Sequence, residues 1–315
     1  MPAKKLFRYS IWIIAIVFIL MNVVAYFHAY KFTHFANPEI SKTNSPASLS
    51  MFDKLGVLLF GVNNPRPENK TLPNRSFEKI ELQSNKKIAC WLLKTENAKG
   101  TVALFHGFSG EKSSMLDKSE AFLAMGYNTL LVDFMGSGES EGNQTTIGFF
   151  EAEQIKTCFE YLIEQGEKNV ILFGTSMGSV AILKAVSDYN ISPAAIIVEC
   201  PFGSMYETVC ARFKIMQVPT FPMAGLLVFW GGIQNGFWAF AHNPEEYAKK
   251  VKCPTLLLYG EKDDKVSQEE INTILANLKG EKVLKTYPDA THENYLNKYK
   301  REWINDVDEF LTKVQ

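Results

Sequence analysis

The stretch that most constrains the fold runs from Asn169 to Ala185, NVILFGTSMGSVAILKA. Val170–Phe173 is a short apolar run that predicts a buried strand. Gly174-Thr175-Ser176-Met177-Gly178 predicts a sharp turn, and the residues after it can be helical. The Gly-x-Ser-x-Gly spacing has a steric origin. So tight a turn holds Ser176 in a strained conformation and brings neighbouring chains too close for any side chain at Gly174 and Gly178. The serine oxygen then stands above the strand tips at the amino end of a helix, whose unpaired N–H groups and dipole favour developing negative charge. Taken alone, the same pattern also suits an ordinary strand-to-helix turn with a capping serine.

A chain of 315 residues with 46% hydrophobic content can bury a full core, which favours one large domain with appendages. The net charge of −1 gives no basic footprint for nucleic acid. Cys90, Cys158, Cys200, Cys210 and Cys253 have neither a CxxC pair nor metal-ligand spacing and read as small buried hydrophobes. Only Cys200 and Cys210 are near enough in sequence to suggest a bridge. With no dinucleotide fingerprint, P-loop or metal cluster in the sequence, no cofactor and no metal are expected.

Ser10–Tyr30 contains no Asp, Glu, Lys or Arg, and at helical rise it covers about 30 Å, the thickness of a bilayer core. Lys4, Lys5 and Arg8 precede it while only Lys31 closely follows. That imbalance makes residues 1–9 a cytoplasmic tail and places the rest on the non-cytoplasmic side. A cleaved signal peptide is the competing reading, but the apolar run is longer than a usual signal core and no small-x-small site follows it. The expectation is a single transmembrane anchor at residues 10–30.

Residues 31–73 read as a tether containing a short apolar helix. Asn37–Ser50 is rich in Ser, Asn, Pro and Thr, Met51–Val62 is apolar, and residues 63–73 return to Pro, Asn and charge. From 74 to 315 strand and helix patterns alternate, which predicts an α/β domain whose largely parallel sheet is covered on both faces. Phe77–Gln83 and Lys87–Lys94 read as an antiparallel opening pair. The buried strands are expected at Thr101–Phe105, Thr129–Phe134, Val170–Phe173, Ala194–Glu199, Thr255–Tyr259 and Lys282–Tyr287. Helices are expected over Thr146–Gln165 and from about Asn294 to Val314.

From roughly Phe77 onward the chain resembles the α/β-hydrolase superfamily, in its serine aminopeptidase-like and membrane-tethered branch. HGFSG at His106–Gly110 is similar to the oxyanion loop of that family, and DFMGSGES at Asp133–Ser140 to the loop after its next strand. GTSMG is similar to its nucleophile elbow, and ECPF at Glu199–Phe202 to the end of its sixth strand. YGEKDDKV at Tyr259–Val266 and DATHEN at Asp289–Asn294 resemble its acid and histidine loops. One departure is Gln154, where relatives often carry an acid; that position is not chemical. The resemblance implies an α/β-hydrolase fold with a cap insertion, preceded here by the transmembrane helix.

A neutral serine hydroxyl is a poor nucleophile and needs a base, which in turn needs an orienting acid. His292 follows the final strand among small and polar residues, whereas His28 and His34 flank the apolar segment, His106 sits in a loop and His242 in an insertion. His292 is therefore the candidate base. Asp263 and its neighbour Asp264 are both candidate acids; the resembled spacing of Gly260, Asp263 and Val266 implies Asp263 and leaves Asp264 a solvated charge. Met177, the residue after the serine, is expected to offer one backbone N–H to an oxyanion. The resemblance implies Phe108 as the second donor and a structural role for Asp133.

Between Phe202 and Lys252 the sheet pattern stops, and Ile215–Pro244 is again uncharged. The expectation is a cap at residues 203–252 with an apolar substrate surface that includes Trp230 and Phe237. A second transmembrane helix is opposed by Pro219, Pro222, Gly231, Gly232 and Asn235. These features together predict a membrane-anchored serine hydrolase acting through an acyl-enzyme on an ester, thioester or amide of a small-molecule or lipid-like acyl substrate. A serine aminopeptidase-like amidase shares every motif. A non-catalytic binding module on the same fold would be expected to have lost one of the three residues, and none is missing.

Overall fold

Thr101–Phe105 is buried at every position, and the strands on either side of it at all but one terminal position each, so the sheet at the centre must be covered on both faces. In the computed structural model residues 3–43 and 50–314 are described. Part of the expected cytoplasmic tail, residues 1–2, and the middle of the expected tether, residues 44–49, lie outside them. Eight strands form one sheet: β1 (Glu78–Gln83), β2 (Lys87–Leu93), β3 (Thr101–Phe105), β4 (Asn128–Val132), β5 (Val170–Thr175), β6 (Ala195–Glu199), β7 (Thr255–Gly260) and β8 (Lys282–Tyr287). Their spatial order is β1-β2-β4-β3-β5-β6-β7-β8. β1 pairs antiparallel with β2 and β2 with β4, and the remaining pairs are parallel. This is the α/β-hydrolase fold.

Alternation along each strand divides the core into two layers. Ala103 and Phe105 of β3 face one layer with Val180 and Ile182, while Val102 and Leu104 face the other with Phe122 and Trp303. Helices α3 (Leu116–Ala124) and α11 (Lys300–Val314) cover one side, and α4 (Glu151–Glu164), α5 (Met177–Asp188) and α9 (Gln268–Asn277) the other. Between β6 and β7 the chain leaves the sheet to form α6 (Met205–Ile215), α7 (Met223–Asn235) and the short α8 (Pro244–Ala248). With 13 residues, α7 extends about 20 Å, too short to cross a bilayer.

Two helices differ from expectation, each for a local reason. The helix expected from Thr146 starts only at Glu151, because the Glu151 carboxylate turns back to accept hydrogen bonds from Thr145 Oγ1 at 2.6 Å, Thr146 N at 2.9 Å and Gly148 N at 3.0 Å. Ile147 (φ 57°) and Gly148 (φ 99°) are both left-handed there, which a helix does not allow. The final helix is broken at Tyr299 into α10 (Tyr295–Lys298) and α11.

α1 (Ala3–Thr33) extends beyond the apolar stretch at both ends. Among the described residues it is the one helix long and apolar enough to cross a membrane, with a mean hydropathy of 2.4 in its most apolar window. Its first half exposes Ile14, Phe18 and Leu20, whereas Ala25 and Ala29 are buried and this second half packs along α7. Trp230 Nε1 donates to Asn22 Oδ1 at 3.1 Å, Gln234 Nε2 donates to the Tyr26 carbonyl at 2.8 Å, and the Tyr26 and Trp230 rings meet edge to face at 5.3 Å. α2 (Met51–Phe60) also lies on α1, where its Leu58 carbonyl is 2.9 Å from His28 Nε2. The segment joining α1 to the sheet is fastened along the loop after β4. Phe35 N donates to Asn143 O at 2.6 Å, and the Arg66 guanidinium donates to the carbonyls of Gly138, Ser140 and Gly142.

Candidate active site

β5 runs straight into α5 through Ser176, which adopts φ 51° and ψ −111°. A Cβ on Gly174 would lie 2.5 Å from the Gly178 carbonyl carbon, and one on Gly178 would lie 2.4 Å from the Phe105 carbonyl oxygen. Only glycine fits at either place. The turn is locked from β6: Ser176 N donates to Glu199 O at 2.8 Å, and Ser179 Oγ donates to Gly174 O at 2.6 Å.

Loops after β7 and β8 bring the other two predicted residues to this turn. His292 Nδ1 lies 2.7 Å from Asp263 Oδ2, and His292 Nε2 lies 3.0 Å from Ser176 Oγ. A carboxylate can only accept, so Nδ1 carries the proton and Nε2 is free to accept from the serine. Asp263 is held in turn by the N–H groups of Lys265 at 2.8 Å and Val266 at 3.0 Å, both donating to Oδ1. Its side chain is fully buried, whereas Asp264 is exposed and makes no contact with His292. Burial opposes charge on His292, yet the neighbouring Cys200 sulfur and the Asp263 carboxylate together raise its pKa above the ordinary histidine value.

Opposite the elbow, the loop after β3 approaches closely, and a Cβ on Gly107 would stand 3.6 Å from Ser176 Cβ. Phe108 follows it, and among the described residues its N–H is not spent on a hydrogen bond. Met177 is the first residue of α5, so its N–H precedes the intrahelical ladder. The Phe108 ring is clamped by α1: Phe32 stacks on it at 4.6 Å and 12°, and Phe35 lies at 6.0 Å.

Several other polar groups of the neighbourhood are consumed internally. His106 is fully buried, accepts from Phe134 N at 3.1 Å through Nε2, and has its pKa lowered by desolvation, so it stays neutral. Asp133 forms a buried ion pair with Lys112 and accepts from the N–H of Glu139 at 2.9 Å. Gln154 bridges Met135 N and Asn85 Oδ1. Glu199 was legible only as part of a strand end, yet its carboxylate accepts from Trp303 Nε1 at 2.7 Å and Thr175 Oγ1 at 3.0 Å, fixing the strand tips beneath the serine.

Cys200, which closes β6 with φ 42°, was missed as a neighbour of the site. Its sulfur and the ligating atoms of Asp263 and His292 lie within 4.8 Å of one another. Such a spacing can hold a metal, but Asp263 and His292 already satisfy each other. Cys200 and Cys210 are both free thiols, so the suggested bridge is absent: Cys200 turns toward His292 while Cys210 sits on α6.

A cavity of about 190 Å³ opens onto Ser176. The cap supplies Phe213, Met216, Val228 and Phe237, the core supplies Phe202 and Met177, and α1 supplies His28, Ala29, Phe32 and Thr33. Phe237 lines the cavity. Trp230 does not line the cavity, because its indole N–H has turned to Asn22 on α1. Nothing in the local sequence pointed to α1 as a wall of this cavity.

The family described as "Serine aminopeptidase, S33" matches residues 96–230. The uncharacterized protein YqkD of Bacillus subtilis is 24% identical over 218 residues, covering 68% of this chain and 72% of that protein. The lysophosphatidylserine lipase ABHD12 of Danio rerio is 23% identical over 229 residues, covering 70% of this chain and 56% of the lipase. Among solved structures, the Pyrococcus furiosus esterase Pf2001 superposes with a TM-score of 0.65 at 22% identity, covering 79% of this chain and 98% of the esterase. Its sheet order and elbow, with this structural likeness, give the chain the α/β-hydrolase fold, and residues 96–230 are similar to the serine aminopeptidase family.

Proposed function

We propose that this protein is a membrane-anchored serine hydrolase that cleaves the ester of an apolar acyl substrate through an acyl-enzyme. The observation that carries the reading is the chain of hydrogen bonds from Ser176 Oγ to His292 to Asp263, opening onto an apolar cavity. In the first step His292 Nε2 takes the Ser176 proton as Oγ attacks the acyl carbon, and Asp263 orients the imidazole and stabilises the imidazolium. The N–H groups of Met177 and Phe108 receive the oxyanion. His292 then returns the proton to the leaving alkoxide, and a water activated by the same nitrogen releases the acid and restores Ser176.

Two features favour an acyl ester over an aminopeptidase substrate. No carboxylate is among the cavity-lining residues to hold a free α-ammonium group. Four of the lining residues come from α1, the helix that suits a membrane, so an acyl chain in the bilayer lies next to the cavity wall. The lipase relative acts, by its name, on lysophosphatidylserine, which accords with this reading. The excess of Lys and Arg before the uncharged stretch Ser10–Tyr30 supports a non-cytoplasmic catalytic domain.

The test is turnover of p-nitrophenyl esters from acetate to palmitate beside aminoacyl p-nitroanilides, on the full chain in neutral detergent. Each buried methylene contributes about 0.8 kcal/mol, so kcat/KM should rise by up to about 15-fold per two carbons until the cavity is full. Phe237→Ala should shift that optimum. Faster cleavage of the anilides would replace the esterase reading with the amidase one.

A further inference from the structure

Of the residues lining the cavity at Ser176, Arg212 alone is an Asp, Glu, Lys or Arg. It sits on α6, is largely buried, and has no carboxylate within 4.0 Å among the described residues. Its recorded hydrogen bonds are two long ones from Nη1, to the carbonyls of Thr208 at 3.4 Å and Lys265 at 3.5 Å. Asp263, Asp264 and Glu270 act on it only from farther away. A guanidinium taken out of water without a paired anion is costly, and most of its five N–H groups remain to be used.

One helical turn earlier, Thr208 lines the same cavity. It is 5% exposed, and its hydroxyl has no hydrogen-bond partner among the described residues. The i, i+4 spacing puts the two residues on one face of α6. Thr33 and Thr146, the other threonines of the cavity, both spend their hydroxyls on protein partners. An unpaired cation and an unsatisfied hydroxyl thus line the same largely apolar cavity as the nucleophile.

We infer that Arg212 and Thr208 form a subsite for an oxyanion carried by the substrate itself, so that the substrate is an anionic amphiphile: an acyl ester bearing a phosphate. The guanidinium fork and the hydroxyl donate to its oxygens, and such charge-assisted bonds are strongest where water is excluded. The apolar wall takes the acyl chain and Ser176 the ester between them. This deepens the hydrolase reading above and rests on it.

The experiment compares two esters of the same chain length in neutral-detergent micelles, a 1-acylglycerol 3-phosphate and the corresponding uncharged monoacylglycerol, using the full chain. Wild type should prefer the phosphate in kcat/KM by about 10- to 100-fold, mostly through KM. Arg212→Gln should remove most of that preference, Arg212→Lys should keep part of it, and Thr208→Val should lower it severalfold. Because the preference is a ratio, partial loss of folded protein cancels. Equal use of both esters by wild type, or a ratio unchanged in Arg212→Gln, would overturn the subsite and leave the hydrolase reading intact. No turnover of either ester, with no fluorophosphonate labelling of Ser176, would overturn both. Inorganic phosphate that competes as well as the acyl phosphate would also overturn it, since the anion would then be bound without the lipid.

Discussion

Replacing Phe32 with alanine should slow catalysis although Phe32 belongs to α1 and lies 144 positions before the serine. Its ring stacks on Phe108 at 4.6 Å, and Phe108 carries one of the two N–H groups assigned to the oxyanion. An aromatic pair of this kind contributes about 0.5–1.5 kcal/mol beyond the area it buries. If that stabilisation holds the loop in its productive place, its loss should lower kcat by about 2- to 12-fold. That is well short of the roughly 10²- to 10³-fold loss on deleting a donor outright. The assay is steady-state turnover of p-nitrophenyl acetate, whose acyl group is too short to depend on the cavity wall. Phe18→Ala, in the exposed half of the same helix, is the control. Equal rates for Phe32→Ala and Phe18→Ala, or an effect confined to KM, would refute the idea that α1 positions the oxyanion loop.

Three further outcomes follow from the site. Asp263→Asn should reduce kcat by about 10⁴-fold, while Asp264→Asn should change it little, since only Asp263 reaches His292; steady-state rates of the two variants check this. Activity should fall as pH drops and His292 gains a proton, with the half-point above 6.5 because its pKa is raised; a pH profile of kcat/KM reads it. Acid should also destabilise the fold through His242, whose pKa burial lowers from 6.5 to about 4. The unfolded chain then takes up a proton that the folded one refuses, so stability is lost as pH falls from 6.5 toward 4, by about 3 kcal/mol in all. Denaturant midpoints across that window should show the loss, and His242→Gln should flatten it.

What the sequence disclosed depended on how local the cause was. β3 begins and ends where expected because its apolar run in a buried parallel sheet is bounded by polar and turn residues. The glycines at 174 and 178 encode close approach directly, and so the elbow was legible. The meeting of Ser176 with His292 was legible from chain order and loop position, although 116 residues separate them. Glu151 was not: its carboxylate replaces backbone partners for a loop, which no periodicity reveals. Trp230 was placed by its apolar surroundings, but its one N–H needs an acceptor, and that acceptor lies 208 residues away on α1. Arg212 and Thr208 look like ordinary positions of a mixed helix until the cavity beside them is seen.

The central claim, that Ser176 is the nucleophile activated by His292, is tested most directly by mass spectrometry of the full chain after reaction with a fluorophosphonate. One adduct on the peptide containing Ser176 in the wild type, its absence in Ser176→Ala, and much slower formation in His292→Ala are the results this account predicts. An adduct that persists in Ser176→Ala, or that forms at the wild-type rate without His292, would contradict it.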